Sequence, residues 1–339
     1  MKSNSQIAII GAGAIGSLLG GVLARNQEDV TLIGNKAHVE AINKNGLMVD
    51  GAAGKFTVNL KAAERLDFHP DIVFISVKTQ DVQKVCNEIQ PFVKDVPVVM
   101  MQNGIISAEI AAPFFKKENI ISCILLLNAQ FLKPGSVTYI NKSPIVIGQA
   151  FSRNGERIRE IQSILNKMAR TEISDNILGA QWAKLFINAM GNGLDGMTGL
   201  SVGEYIKYPG LLRIGILILK EALRLVDESG IRLETLPSYP MHFFTLIIRT
   251  PTPIATRLLK QIIRFKGDKD IITSTLQSLR KGKKTEIDYL NGEFVRLGRQ
   301  TGIPAPFNSK VVELIHEIER TQKFHSPEDL VRIFCETGA

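Results

Sequence analysis

Ile7-Ala8-Ile9-Ile10-Gly11-Ala12-Gly13-Ala14-Ile15-Gly16 is the stretch that decides how this chain folds. An apolar run of strand character enters a G-x-G-x-x-G triplet, and helical spacing follows from Ala14 to Arg25. Glycines with a strand before them and a helix after them mark the first turn of a dinucleotide-binding βα unit. Gly11 permits the tight turn, Gly13 lets the backbone approach a pyrophosphate, and Gly16 lets the helix pack close to the strand. Ala12, Ala14 and Ile15 complete the loop and the first helical turn, whose free N–H groups face the phosphates. A glycine-rich strand–helix turn that binds nothing is the competing reading, and it accounts for less of the pattern.

The second strand, 30–33, leads into Gly34-Asn35-Lys36. Sites for a dinucleotide with a free ribose 2′-hydroxyl place Asp or Glu about 20 residues past the glycine loop. No carboxylate stands there. Asn35 and Lys36 suit a 2′-phosphate, which favours NADPH/NADP+, although Lys36 also reads as a solvated lysine in a first helical turn. Lys78 follows an apolar strand, 71–77, at the carboxyl end where doubly wound sheets bind ligands. Asn103, in Gln102-Asn103-Gly104, follows strand 96–101 in the same way and suits the cofactor ribose or a substrate. Asn-Gly is also a common turn dipeptide.

Further out, helices at 36–44 and 81–89 alternate with these strands. Such alternation predicts an α/β, Rossmann-type doubly wound parallel sheet. From residue 120 the texture changes, and Lys133-Pro134-Gly135 predicts a hairpin or meander closing the edge of that sheet. Past about residue 175 strand signals fade. Segments 177–190, 210–229, 270–279, 285–301 and 308–320 carry helical periodicity. The expectation is an NADP-binding domain over 1–174 and an all-helical C-terminal substrate domain over 175–339, with the active site in the cleft between them. Segment 236–266 holds Pro237, Pro240, Pro251 and Pro253, so it is not one continuous helix.

Composition narrows the class. The 339 residues exceed most single domains, and 45% are apolar, enough for a large core. Lys and Arg number 41 against 33 Asp and Glu, a net charge of +8 that suits small anions. A nucleic-acid face needs a concentrated basic stripe, and the densest run, Arg280-Lys281-Gly282-Lys283-Lys284, reads as a solvated turn. Cys86, Cys123 and Cys335 are too scattered for a disulfide framework or a metal cluster, and the expected compartment is the cytoplasm. His38, His69, His242, His316 and His325 match no metal or triad spacing and read as surface or structural residues. No apolar run reaches the ~18 residues of a membrane span, and no signal peptide fits before the first strand.

The richest chemistry lies in Gln181-Trp182-Ala183-Lys184-Leu185-Phe186-Ile187-Asn188-Ala189-Met190-Gly191-Asn192. Lys184, Asn188 and Asn192 are spaced i, i+4, i+8 and drift by only about 80° around a helix, so they share a face. Their neighbours are apolar, and buried polar groups need partners. A snorkelling lysine is the plain alternative. A lysine also fits carbonyl reduction: an ammonium beside the oxygen stabilises developing negative charge and donates the proton.

With these motifs in place, the chain resembles the ketopantoate reductase (2-dehydropantoate 2-reductase) family over nearly its whole length. The resemblance rests on the glycine loop, Val77-Lys78-Thr79, Gln102-Asn103-Gly104, Pro134-Gly135-Ser136-Val137, Lys184-x3-Asn188-x3-Asn192 and Lys284-Thr285-Glu286-Ile287-Asp288-Tyr289-Leu290-Asn291-Gly292. It implies that Lys184 is the general acid and that Glu286 binds the substrate hydroxyl and supports the lysine. It implies that Asn188, Asn192 and Ser274 hold the substrate hydroxyl and carboxylate, that Asn103 lies between cofactor and substrate, and that Lys78 touches the cofactor. On spacing alone Glu286 reads as a carboxylate pairing with Lys283 or Lys284, and Ser274 as a helix N-cap. Two departures from the family stand out. Segment 236–266 is longer and more apolar, suiting it to reshape the substrate mouth, cover it or form an oligomer interface. Gly191 and Gly193 flank Asn192 and weaken the helix there. The implied activity is NADPH-dependent reduction of ketopantoate, a small anionic 2-keto acid, with a homodimer left open. Another branched 2-keto acid and a non-catalytic NADP-binding module are the rival readings. A β-hydroxyacid dehydrogenase shares the Lys-x3-Asn helix, but the Glu286 segment argues against it.

Overall fold

The computed structural model describes residues 5–237, 239–266 (backbone alone at 264–266) and 272–337. The chain divides into two compact units. The first comprises the described residues up to Gln102 together with Ile106–Leu178, and the second comprises Asn103–Ile105 and the described residues from Gly179 on.

In the first unit, β1 (Gln6–Ile10), α1 (Ala14–Arg25), β2 (Asp29–Ile33), α2 (Lys36–Asn45), β3 (Leu47–Gly51), β4 (Phe56–Val58), β5 (Lys61–Ala63) and β6 (Ile72–Ile75) come first. They are followed by α3 (Val82–Ile89), β7 (Val98–Met100), α4 (Ser107–Ala111), β8 (Ile120–Leu125), β9 (Asn128–Lys133), β10 (Ser136–Asn141), β11 (Ile145–Gln149), α5 (Arg157–Asn166) and β12 (Thr171–Ile173). The main sheet has the order β5-β2-β1-β6-β7-β8-β11-β12. The six strands from β5 to β8 are mutually parallel, and β11 pairs antiparallel with β8. That six-strand order is the dinucleotide-binding one, with its switch point between β1 and β6. Ile7 and Ile9 enter one core while Ala8 and Ile10 enter the other. A strand covered on both faces reads as the unbroken apolar run seen in the sequence.

The hairpin around Gly135 does not close the main sheet. β9 and β10 join β3 and β4 in a separate four-stranded sheet, and β11 takes the edge beside β8. Burial explains the difference. β8 is buried along its whole length, whereas β9 is half-buried or exposed throughout and suits a sheet with an open face. Helix α1 packs against both sheets: a Cβ on Gly20 would come within 2.7 Å of Leu32, and one on Gly21 within 2.6 Å of Val49. His38 pins this arrangement. The Gly135 N–H donates to its Nδ1 at 2.9 Å, which leaves Nε2 protonated to donate to Ser17 Oγ at 2.9 Å. Burial holds this imidazole below its ordinary pKa, consistent with a neutral structural ring.

The described part of the second unit is helical: α6 (Ile177–Thr198, its first two residues counted with the first unit), α7 (Val202–Tyr205), α8 (Pro209–Glu228), α9 (Met241–Arg249), α10 (Thr252–Lys266), α11 (Ser274–Leu279), α12 (Asn291–Thr301), α13 (Pro306–Thr321) and α14 (Pro327–Thr337). Helices α9, α10, α12, α13 and α14 all pack against α8. Glu221, which interrupts the apolar run of α8, caps α13 by accepting the N–H groups of Phe307 and Asn308, each at 2.8 Å.

Two expectations shift here, and the break that the prolines predict in segment 236–266 is borne out. Helix α6 runs through Gly191 and Gly193 to Thr198, because the small residues admit α13: a Cβ on Gly193 would lie 3.2 Å from Val311, and one on Gly196 2.9 Å from Ile315. Tertiary packing outweighs the weak local propensity. Segment 285–301 is not one helix, since Leu290 adopts φ −114°, ψ −98° between a 3-10 turn at Ile287–Tyr289 and α12. Segment 236–266 breaks between Arg249 and Thr252 into α9 and α10, which leave Phe243, Leu246 and Ile254 about half exposed or more. Residues 270 and 271 of the expected helix 270–279 lie outside the described residues. Among the described residues, no helix is long and apolar enough to cross a membrane.

Candidate active site

The residues expected at the cofactor gather at the carboxyl ends of β1, β2 and β6 in the first unit. Gly11 has φ +104°, and a Cβ there would lie 2.7 Å from the Val77 nitrogen. A Cβ on Gly16 would meet the Gly11 carbonyl oxygen at 2.2 Å and Ser76 Oγ at 2.5 Å. The Gly11 and Ala12 N–H groups both donate to the Ile33 carbonyl at 2.9 Å, and Ser76 Oγ donates to the Gly11 carbonyl at 2.7 Å. The loop is therefore stitched to all three strands. Gly13 differs: a Cβ there would meet nothing within 4 Å. This open space lies at the N-terminus of α1, which has no side-chain cap. Bare N–H groups facing open space fit a diphosphate.

Asn35 caps α2, its Oδ1 accepting the His38 N–H at 3.1 Å. Lys36 is exposed and lies 3.9 Å from Glu40, too long for a strong pair. Lys78 is half-buried, just before the turn Thr79–Asp81. Gln102 Nε2 donates to the carbonyls of Ile75 at 2.8 Å and Val77 at 3.0 Å, while its buried Oε1 has no partner. An orphaned acceptor at the carboxyl end of β6 also fits a bound polar ligand.

The residues expected at the substrate lie in the second unit. From Gly179 to Thr198, only Lys184, Ile187, Asn188 and Gly191 escape full burial. Their spacing of i, i+3, i+4 and i+7 makes a single stripe, and its two polar members are the lysine and the asparagine. Gln181, one turn before Lys184, donates from Nε2 to the Gly104 carbonyl at 3.3 Å. Gly104 has φ +87°, and a Cβ there would lie 2.5 Å from the Tyr289 carbonyl oxygen. The Tyr289 N–H donates in turn to the Glu286 carbonyl at 2.9 Å. The three segments bearing Asn103, Lys184 and Glu286 thus meet around Gly104. Glu286 is half-buried, whereas Lys283 and Lys284 are exposed.

Asn192 lies away from the open stripe. It is 4% exposed, and its Oδ1 accepts from Thr275 Oγ1 at 2.9 Å. Ser274 Oγ is 3.4 Å from the same oxygen. Ser274 is exposed as the first residue of α11, and the N-cap is Thr273. Asn192 and Ser274 are therefore brought together, with the asparagine engaged in seating α11.

Sequence reasoning missed two residues that organise this region. Asp195 is fully buried and accepts both the Thr273 N–H at 2.6 Å and Thr273 Oγ1 at 2.8 Å. Burial pushes its carboxyl up to about 8. Its position three residues past Asn192, amid glycines and apolar side chains, was the available signal. Asn291 is fully buried and donates to the Ala189 carbonyl at 3.1 Å and to Asn308 Oδ1 at 2.9 Å, tying the Glu286 turn to α6 beside Asn188.

A glycine cradle on a doubly wound sheet, with a lysine–asparagine stripe on a separate helical unit, defines a dinucleotide-dependent oxidoreductase as the class. The chain matches the family Ketopantoate reductase PanE/ApbA over residues 7–151 and its C-terminal counterpart over residues 176–319. It belongs to the ketopantoate reductase family. It is 31% identical over 305 residues to the 2-dehydropantoate 2-reductase of Pyrococcus horikoshii, spanning 89% of this chain and 94% of that one. The 2-dehydropantoate 2-reductase of Archaeoglobus fulgidus is 24% identical over 315 residues, spanning 93% and 98%. Among solved structures, the PanE/ApbA family ketopantoate reductase of Ralstonia eutropha superposes with a TM-score of 0.79 at 27% identity, covering 94% of this chain and 99% of that one. D-mandelate dehydrogenase in complex with NADH and anilino(oxo)acetate superposes at 0.80 with 24% identity, covering 93% and 99%.

Proposed function

We propose that this chain reduces 2-dehydropantoate to (R)-pantoate with NADPH in the cytoplasm, a step towards pantothenate and coenzyme A. The observation that carries the reading is the open stripe of α6, which leaves Lys184 and Asn188 half-buried on a helix that from Gly179 to Thr198 is otherwise buried except at Ile187 and Gly191. Relatives bearing the name 2-dehydropantoate 2-reductase over most of the chain support the substrate. Gly11 to Gly16, Lys78 and Gln102 would hold the dinucleotide. A reduced nicotinamide supplies the hydride when bound. Lys184 Nζ stabilises the charge that develops on the ketone oxygen and gives that oxygen its proton. Asn188 and Asn103 orient the substrate's hydroxyl and carboxylate. Glu286 binds the hydroxyl and keeps the lysine directed. Asn192 and Asp195 seat the α11 N-terminus that presents Ser274.

The choice of NADPH rests on the missing carboxylate after β2 and on Lys36, exposed at the start of α2. D-mandelate dehydrogenase, of similar fold, was solved with NADH. That favours a second reading, NADH with a different 2-keto acid, because a fold does not fix its substrate. Specificity constants for a panel of 2-keto acids with each cofactor separate the two. Ketopantoate with NADPH is expected to lead by at least about tenfold, the usual worth of side-chain discrimination. A lead for NADH or for another keto acid contradicts the proposal.

A further inference from the structure

We propose that Glu319 and His316 of α13 are positioning residues for Glu286, holding Thr285 and Asp288 on either side of it, with the charge on the imidazole deciding whether both are held. The inference rests on the role given to Glu286 above. Glu319 Oε1 accepts the Thr285 N–H at 2.7 Å and Thr285 Oγ1 at 2.8 Å. Its Oε2 lies 3.1 Å from His316 Nδ1, and His316 Nε2 lies 3.0 Å from Asp288 Oδ1. The contacts Thr285–Glu319–His316–Asp288 close a ring around the backbone that carries Glu286. Inside that ring the Ile287 N–H bonds back to Thr285 Oγ1 at 3.2 Å. Glu286 itself has φ −107°, ψ 26°, outside regular helix or strand, so the direction of its side chain depends on these anchors.

A neutral imidazole has one N–H. Both ring nitrogens of His316 face carboxylate oxygens, so a neutral ring satisfies one and turns a lone pair towards the other. The charged ring donates to both, and such charge-assisted bonds are the stronger kind. Partial burial opposes the charge, but the hydrogen bonds to Glu319 and Asp288 prevail and hold the imidazole above its ordinary value. Burial likewise opposes the Glu319 carboxylate, and the Thr285 N–H and hydroxyl with His316 hold it below its ordinary value. Among the described residues, Asp288 from the turn and Glu319 from the same helix are the charged groups that meet the ring. Arg296 of the adjacent α12 is engaged with Glu293 at 2.6 Å. The turn is thus held on both sides while the ring is charged, and it is released on one side as pH rises through the imidazole's pKa.

The test uses the full chain with His316→Gln and His316→Lys. It reads hydrogen-exchange protection at the Thr285 and Ile287 amides, and kcat/KM for ketopantoate, at about pH 6 and about pH 9, on either side of histidine's range. Loss of one charged hydrogen bond predicts about a tenfold drop in kcat/KM for His316→Gln at the lower pH, with reduced protection, and near equality with wild type at the higher. His316→Lys, still largely charged at about pH 9, is expected to keep at the higher pH the protection that wild type loses. Equal losses at both pH values, or no loss at the lower one, overturn the proposal. A change in protection without a change in kcat/KM overturns the link to Glu286. Wild type that turns over no 2-keto acid overturns the functional reading instead, and the exchange arm alone then decides whether the pair holds the turn.

Discussion

Asp195 shows what a single buried residue contributes. Its folded carboxyl keeps its proton up to about pH 8, far above the ordinary 3.8. Between those values the unfolded chain binds fewer protons than the folded one, so this group's contribution to stability is full below about pH 4 and is lost as pH rises through about 8. Asp195→Asn removes the titration. The melting temperature of the variant is therefore expected to fall less than that of wild type between mildly acidic and mildly alkaline buffer. Parallel melting curves across that range would show that Asp195 stays ionised when folded. Lys184 and Asn188 were legible because a polar pair at helical spacing in an apolar stretch is conspicuous. Asp195, Asn291 and Glu319 were not, because their partners Thr273, Ala189, Asn308 and Thr285 lie far away in sequence.

Among the elements, the βα turn at the start of the chain makes the sharpest prediction, since its glycines are constrained by different things. Gly16 is confined by protein, with the Gly11 carbonyl 2.2 Å from any added Cβ, whereas a Cβ on Gly13 meets nothing within 4 Å. Gly16→Ala is expected to lower the melting temperature and weaken cofactor binding together. Gly13→Ala is expected to leave melting nearly unchanged yet weaken NADPH binding by about tenfold or more, because its methyl occupies the space needed by the pyrophosphate. Calorimetric titration beside thermal melting checks both. Unchanged NADPH affinity in Gly13→Ala would place the diphosphate elsewhere. The main sheet was legible because strands buried on both faces read as apolar runs. The second sheet was not: β3 and β4 are short, partly exposed and close to glycines, and β10 finds its parallel partner β3 about ninety residues back. The break at Leu290 escaped notice because the residues on both sides keep helical periodicity.

Across the whole molecule, the proposed reading assigns cofactor binding and proton transfer to different units. The first carries the glycine cradle and the second carries the lysine–asparagine stripe. Cofactor affinity and turnover should therefore respond to different substitutions. Segment 236–266 became two helices on α8 whose outer faces keep large apolar side chains exposed, a feature that the proline pattern announced only as a break. The most direct test compares wild type with Lys184→Ala for NADPH-dependent reduction of ketopantoate, with NADPH affinity measured alongside. Loss of a general acid predicts a fall in kcat of about a hundredfold or more, with cofactor affinity unchanged. Full turnover in Lys184→Ala would contradict the assignment of this lysine as the proton donor.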